Sequence, residues 1–250
     1  MIVGGLGELQ GASMLERRRW MRDHLDGLRR VLMHEPRGHR DLYGCVVTPP
    51  VWPQADLGVL FLHNEGYSTM CGHGVIALVT ALLETGALPA GGRQTPVAID
   101  TPAGLVRAAA HLDPAGSVER VSFRNVPSFL YRGDLAVDVP QLGRLTLDIA
   151  LGGAFYAILP AESVGRRVAV EQLQPLVKAA EAIKRAVSAA ERIEHPGDEE
   201  LGLLYGVLFT DRPEDPAPTP PSYRKSPAEP SSPAGTSSSS IPTIPWATAF

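Results

Sequence analysis

The stretch of residues 71–84, CGHGVIALVTALLE, constrains the fold of this chain more than any other segment. Up to its final glutamate it carries no carboxylate, lysine or arginine, and its apolar side chains leave no wide polar stripe. A helix that is apolar all round belongs inside a domain, buried centrally. The stop is clear: Thr85-Gly86 and then Pro89 end the pattern as a glycine C-cap followed by proline does. The start is unusual, because a lone thiol, Cys71, stands there flanked by Gly72, His73 and Gly74.

Around this helix the text reads mainly as strands. Segments at 43–48 and 57–62 precede it, and 97–100, 105–111, 120–123, 144–149 and 154–159 follow. DTPAG at 100–104 is a turn between two of them. An amphipathic helix is predicted over 13–33 and another over 170–194, before LGLLYGVLFT returns to strand. With 250 residues, 44% of them hydrophobic, such a chain can bury a real core. From Arg212 the composition changes. Ten of the 23 prolines lie in the last 40 residues, beside TSSSS. That text cannot bury enough surface to offset its ordering entropy. The expected organisation is a folded region over 1–211 and a Pro/Ser-rich disordered tail over 212–250, a fold cut short.

A net charge of −4 gives no reason to expect nucleic acid as partner. Arg17, Arg18, Arg19, Arg22, Arg29 and Arg30 alternate with apolar residues and read as the solvated face of the first helix. No apolar run approaches the ~18 residues of a membrane span. Two cysteines, no leader pattern and no scaffold spacing point to a cytoplasmic chain with reduced thiols. His63, Glu65, Cys71 and His73 are close in sequence but lack the paired Cys-x-x-Cys or His-x-x-x-His spacing of zinc sites, and HEPRGH at 34–39 is interrupted by Pro36. No metal is expected. The N-terminal GGLGELQG is out of register for a dinucleotide fingerprint. Cys45, within a strand, reads as an inert core residue.

Cys71 has a physical case as a reactive group. A helix N-terminus carries partial positive charge and unpaired N–H groups, which favour a thiolate. The amides of Gly72 and His73 point outward there and suit a carboxylate. His73 suits either the ligand or the thiolate as hydrogen-bond partner. The residues alone leave this reading and that of a buried core cysteine open.

HNEGYST followed by MCGHG (63–74), with EPRGHRDLYGCVV (35–47) and DIALGGAFYAIL (148–159), resembles the proline racemase family, in particular its trans-3-hydroxy-L-proline dehydratase branch. The resemblance implies an α/β (α+β) fold of the proline racemase and diaminopimelate epimerase kind, with a curved sheet around a central helix in each of two halves and the second half incomplete here. It implies Cys71 as the base that removes an α-proton, and Gly72 and His73 as the residues whose amides hold the substrate carboxylate. Val46 matches a pocket-wall position, and GHRD at 38–41 a structural turn. No cofactor is implied; the partner is a small molecule, hydroxyproline or proline, and a homodimer is among the expectations. The family's opposing motif, Asp-Arg-Ser-Pro-Cys/Thr-Gly-x-Gly, is absent, and the tail stands where it belongs. That motif separates dehydratase from proline or hydroxyproline racemase, so the alternatives stay open, an inactive truncated isoform among them.

Overall fold

The structure is a computed structural model and describes residues 1–2 and 4–211. The expected disordered tail at 212–250 lies outside the described residues. Residues Met1–Asp211 form one compact unit.

Helix α1 (Met14–Met33) begins where the sequence places it. The Ser13 hydroxyl accepts from the Glu16 amide at 3.1 Å, and the Glu16 carboxylate accepts from the Ala12 amide at 2.7 Å, a variant of the capping box. Strands β1 (Tyr43–Thr48), β2 (Leu57–His63) and β3 (Gly66–Ser68) follow, then helix α2 (Gly72–Glu84). Strands β4 (Gln94–Thr101), β5 (Gly104–Leu112) and β6 (Val118–Arg124) complete a first sheet of order β1-β2-β4-β5-β6, with β3 paired to β2. The connection through β3 and α2 makes β2 and β4 parallel, while the other pairs are antiparallel. Strand β2 is buried on both faces, from Leu57 to Leu62, because α1 covers one face and Phe61 meets α2 on the other.

A second sheet repeats the scheme. Strands β7 (Phe129–Val139), β8 (Gly143–Leu151) and β9 (Phe155–Pro160) form a meander, helix α3 (Leu173–Ala190) crosses over, and β10 (Leu204–Thr210) pairs parallel to β9. Ile183 and Val187 of α3 sit with Val137, Ile149, Phe155 and Leu159 in its core. Among the described residues no helix is long and apolar enough to cross a membrane.

Two expectations change. Helix α2 is not buried all round: Val75, Leu78, Val79 and Leu82 face the first sheet, whereas Ile76 is 41% exposed. The arginines of α1 are not all solvated either. Arg18 donates to the Tyr67 carbonyl at 2.8 and 3.1 Å, and buried Arg29 donates to the His63 carbonyl at 2.9 Å and to that of Asn64. These guanidiniums bind carbonyls of the β2–β3 hairpin, at His63, Asn64 and Tyr67, a role their planar fork of donors suits. The latched turn leads directly to Cys71.

Candidate active site

Cys71 is the N-cap of α2, in extended conformation (φ −147°, ψ 109°). Its Sγ accepts from the Gly74 amide at 3.3 Å, and its carbonyl accepts from the Val75 amide at 2.9 Å. The amides of Gly72 and His73, at the first two helical positions, have no acceptor inside the helix. The His73 ring stands beside the sulfur with its two nitrogens at 3.4 and 3.5 Å. The structure thus brings Cys71, Gly72 and His73 together at one helix terminus.

The glycines are packing necessities. A Cβ at Gly72 would lie 3.0 Å from Phe123 Cζ of β6, and one at Gly74 would lie 2.9 Å from Phe61 Cε1 and 3.0 Å from Cys71 Sγ. The helix start is therefore pressed against two aromatic rings of the first sheet with only backbone between. That closeness also buries the thiol, which is 6% exposed. Burial pushes the Cys71 thiol above its usual range, and the Gly74 amide pulls it back without cancelling the shift. The sequence argument that a helix terminus favours the thiolate identified a real contribution, but desolvation exceeds it. Cys45 is raised as well, by burial first.

Val46 is not brought to this terminus. Its side chain lies with Met14, Met21, Leu60 and Leu62 in the core under α1, 2% exposed. Alternation along β1 turns Cys45 and Val47 to the opposite face, and Cys45 is paired with Phe61, whose ring touches Gly74. In GHRD, Asp41 adopts a left-handed conformation (φ 68°), but its ion pair with Arg40 is long and exposed. Asn64 holds this loop instead, donating to the carbonyls of Met33 (2.6 Å) and His39 (3.1 Å).

The sequence reading missed an aromatic group contributed by both sheets. Tyr43 meets His73 edge-on at 4.9 Å, stacks on His63 at 5.4 Å and contacts the Tyr205 hydroxyl of β10 through its own. Tyr205 meets Tyr156 of β9 edge-on at 5.6 Å. Burial, and then the nearby Cys71 thiolate, raise the Tyr156 phenol, while burial lowers His63 and so favours its neutral form. Tyr156 stands inside GGAFY, but no spacing ties it to Cys71, 85 residues earlier. Clefts of about 620 and 590 Å³ share His63 as a wall; Cys71 lines neither.

A family model described as Proline racemase matches residues 1–241. The trans-3-hydroxy-L-proline dehydratase of Homo sapiens is 49% identical over 214 residues, 84% of this chain and 60% of the relative. That of Bacillus thuringiensis is 45% identical, covering 86% and 64%. Among solved structures, a hydroxyproline epimerase from Agrobacterium vitis with bound trans-4-hydroxy-L-proline superposes with a TM-score of 0.79 at 28% identity, covering 86% of this chain and 63% of that one. A probable proline racemase from Agrobacterium radiobacter gives 0.78 at 32%, covering 83% and 62%. The chain spans about 60% of the length of the mammalian relatives it matches.

Proposed function

Because this chain belongs to the proline racemase family, we propose that it carries one face of a proton-transfer site for hydroxyproline, and that its reaction is dehydration of trans-3-hydroxy-L-proline. The observation that supports this is Cys71 at the N-terminus of α2, its sulfur beside His73 and, next to it, two amides that have no acceptor inside the helix.

The substrate carboxylate sits on the amides of Gly72 and His73, where the helix dipole and the N–H groups favour negative charge. His73 accepts the thiol proton, which a buried sulfur does not release unaided. The thiolate then takes the α-proton. The C–H electron pair becomes the C2=C3 double bond as the C3–O bond breaks, and the leaving hydroxide takes the proton that His73 received from the thiol and departs as water. The resulting enamine tautomerises to pyrroline-2-carboxylate. Charge that builds on the carboxylate during proton removal is met by amides already in place, the arrangement that lowers a barrier most. Cys71, Gly72 and His73 are the residues proposed for this work; Val46, packed in the core under α1, is not among them.

The alternative is racemisation or epimerisation, favoured by the superposition on a hydroxyproline epimerase. Incubating the chain in D₂O with trans-3-hydroxy-L-proline, trans-4-hydroxy-L-proline and L-proline separates the two by NMR. Dehydration yields pyrroline-2-carboxylate from the first substrate, and Cys71→Ser abolishes it. Inversion with deuterium uptake and no loss of water establishes the alternative. A Cys71→Ser protein as active as wild type overturns the assignment of the base.

A further inference from the structure

The segment that delivers Cys71 to its helix is held from both sheets. Thr69, 9% exposed, lies two residues before the thiol. Its carbonyl accepts from the Ala103 amide at 3.1 Å, at the β4–β5 turn of the first sheet. Its hydroxyl donates to the Gly153 carbonyl at 2.7 Å, in the β8–β9 turn of the second. Gly153 has φ +95°, and a Cβ there would lie 2.8 Å from Met70 Cβ. The same turn is fastened by Asn125, which donates from Nδ2 to the Gly152 carbonyl at 2.9 Å.

We propose that Thr69 is a positioning residue for the Cys71 site: its hydroxyl bond to Gly153 fixes the thiol and the neighbouring amides in register with the second sheet. This rests on the function proposed above only in taking that terminus as the place where a carboxylate binds. The lever is short. Two residues span at most about 7 Å of extended chain, so a shift at Thr69 passes to Cys71 with little slack. The bond is buried and joins residues 84 apart in sequence. Locally, nothing else in the Thr69 side chain needs a hydroxyl, and valine would fill the same volume while leaving the Gly153 carbonyl without its donor.

The test uses alkylation instead of turnover, so it reads positioning whether or not the chain dehydrates hydroxyproline. Rates of Cys71 modification by iodoacetate and by iodoacetamide are measured by mass spectrometry from pH 6 to 10. In both reactions the thiolate displaces iodide, but iodoacetate alone carries a carboxylate for the amide pair. The wild-type ratio of the two rates is expected to fall in Thr69→Val by about tenfold, inside the ~10²-fold that a 1 Å misplacement can cost, with a changed pH profile. Thr69→Ser, which keeps the donor, restores both. Asn125→Ala, at an exposed bond, loosens the turn and gives a smaller drop; it carries the test if Thr69→Val does not fold. Wild-type ratios and profiles in folded Thr69→Val and in Asn125→Ala would overturn the proposal, as would a Thr69→Ser protein as impaired as the valine variant. Absence of hydroxyproline turnover beside an intact alkylation pattern would instead count against the proposed function.

Discussion

Replacing Gly74 with alanine sets two known effects against each other at the thiol. Alanine is favoured over glycine inside a helix by about 1 kcal/mol, less near an end. The added methyl meets Phe61 Cε1 at 2.9 Å and Cys71 Sγ at 3.0 Å, and Phe61 is 1% exposed, so the ring has no room to retreat. Overpacking of this kind costs about 1–3 kcal/mol. The clash exceeds the propensity gain, for a net loss of roughly 1 kcal/mol, or about 2–4 °C in Tm for a unit of this size. The sulfur yields more easily than the ring, by rotating about its Cα–Cβ bond. Rotation breaks its 3.3 Å bond to the Gly74 amide, the contact that opposes the upward push of burial. The thiol is then harder to ionise and further from its place over the amides. Circular dichroism melts and iodoacetamide kinetics, with Cys45 as internal reference, measure both consequences. Gly72→Ala, where the methyl meets a single ring edge at 3.0 Å, should show the milder loss. A Gly74→Ala protein that melts higher and alkylates at the wild-type rate would refute the reasoning.

Ser68 Oγ is buried without a hydrogen-bond partner among the described residues, so Ser68→Ala should leave the urea midpoint unchanged or raise stability by up to about 1 kcal/mol; a loss of stability in urea titration would show a partner. Burial raises both Cys45 and Cys71, and an unfolded cysteine loses its proton near 8.5. Between that value and their higher folded values the native chain binds more protons than the unfolded one, so stability falls with rising pH there and the thiol contribution is complete below it. Urea titrations from pH 7 to 10 should show this decline, flattened in Cys71→Ser; an increase with pH would contradict the direction assigned to both thiols.

Strongly patterned elements were legible in the sequence. The predicted strand at 43–48 coincides with β1, and the helix predicted over 13–33 is α1, Met14–Met33. The helix predicted over 170–194 is α3, Leu173–Ala190, preceded by a short 3-10 turn at Val170–Gln172. Strand β7 was not seen. It is mostly exposed, carries Arg132, Gly133 and Asp134 in its middle, and shifts register against β8 at Leu130, Arg132 and Leu135, so no alternation survives in its text. At the site, Cys71, Gly72 and His73 were readable because a helix terminus is local chemistry. Thr69, Gly153, Tyr43 and Tyr156 were not, because their meeting is a product of sheet topology. The direction of the Cys71 shift was misread for the same reason: the helix that favours a thiolate is written in residues 71–84, whereas the burial that outweighs it arises only in the assembled sheet, where the Phe61 ring of β2 packs on Gly74 beside the sulfur.

The bond from Thr69 to Gly153 also sets a schedule. A ribosome releases residues 63–84 long before the β8–β9 turn, and α2 can wind as soon as it is out, since helix growth is fast and local. Its cysteine is then capped but not fully clamped: contacts from the first sheet close sooner, whereas the bond from Thr69 to the second sheet waits for loop closure across 84 residues. During that interval the nascent chain presents a helix-terminal thiol to the cell with none of the second sheet around it. Glutathione disulfide and small electrophiles meet Cys71 most readily then, so synthesis, more than the finished fold, is the period in which this sulfur is open to unwanted chemistry.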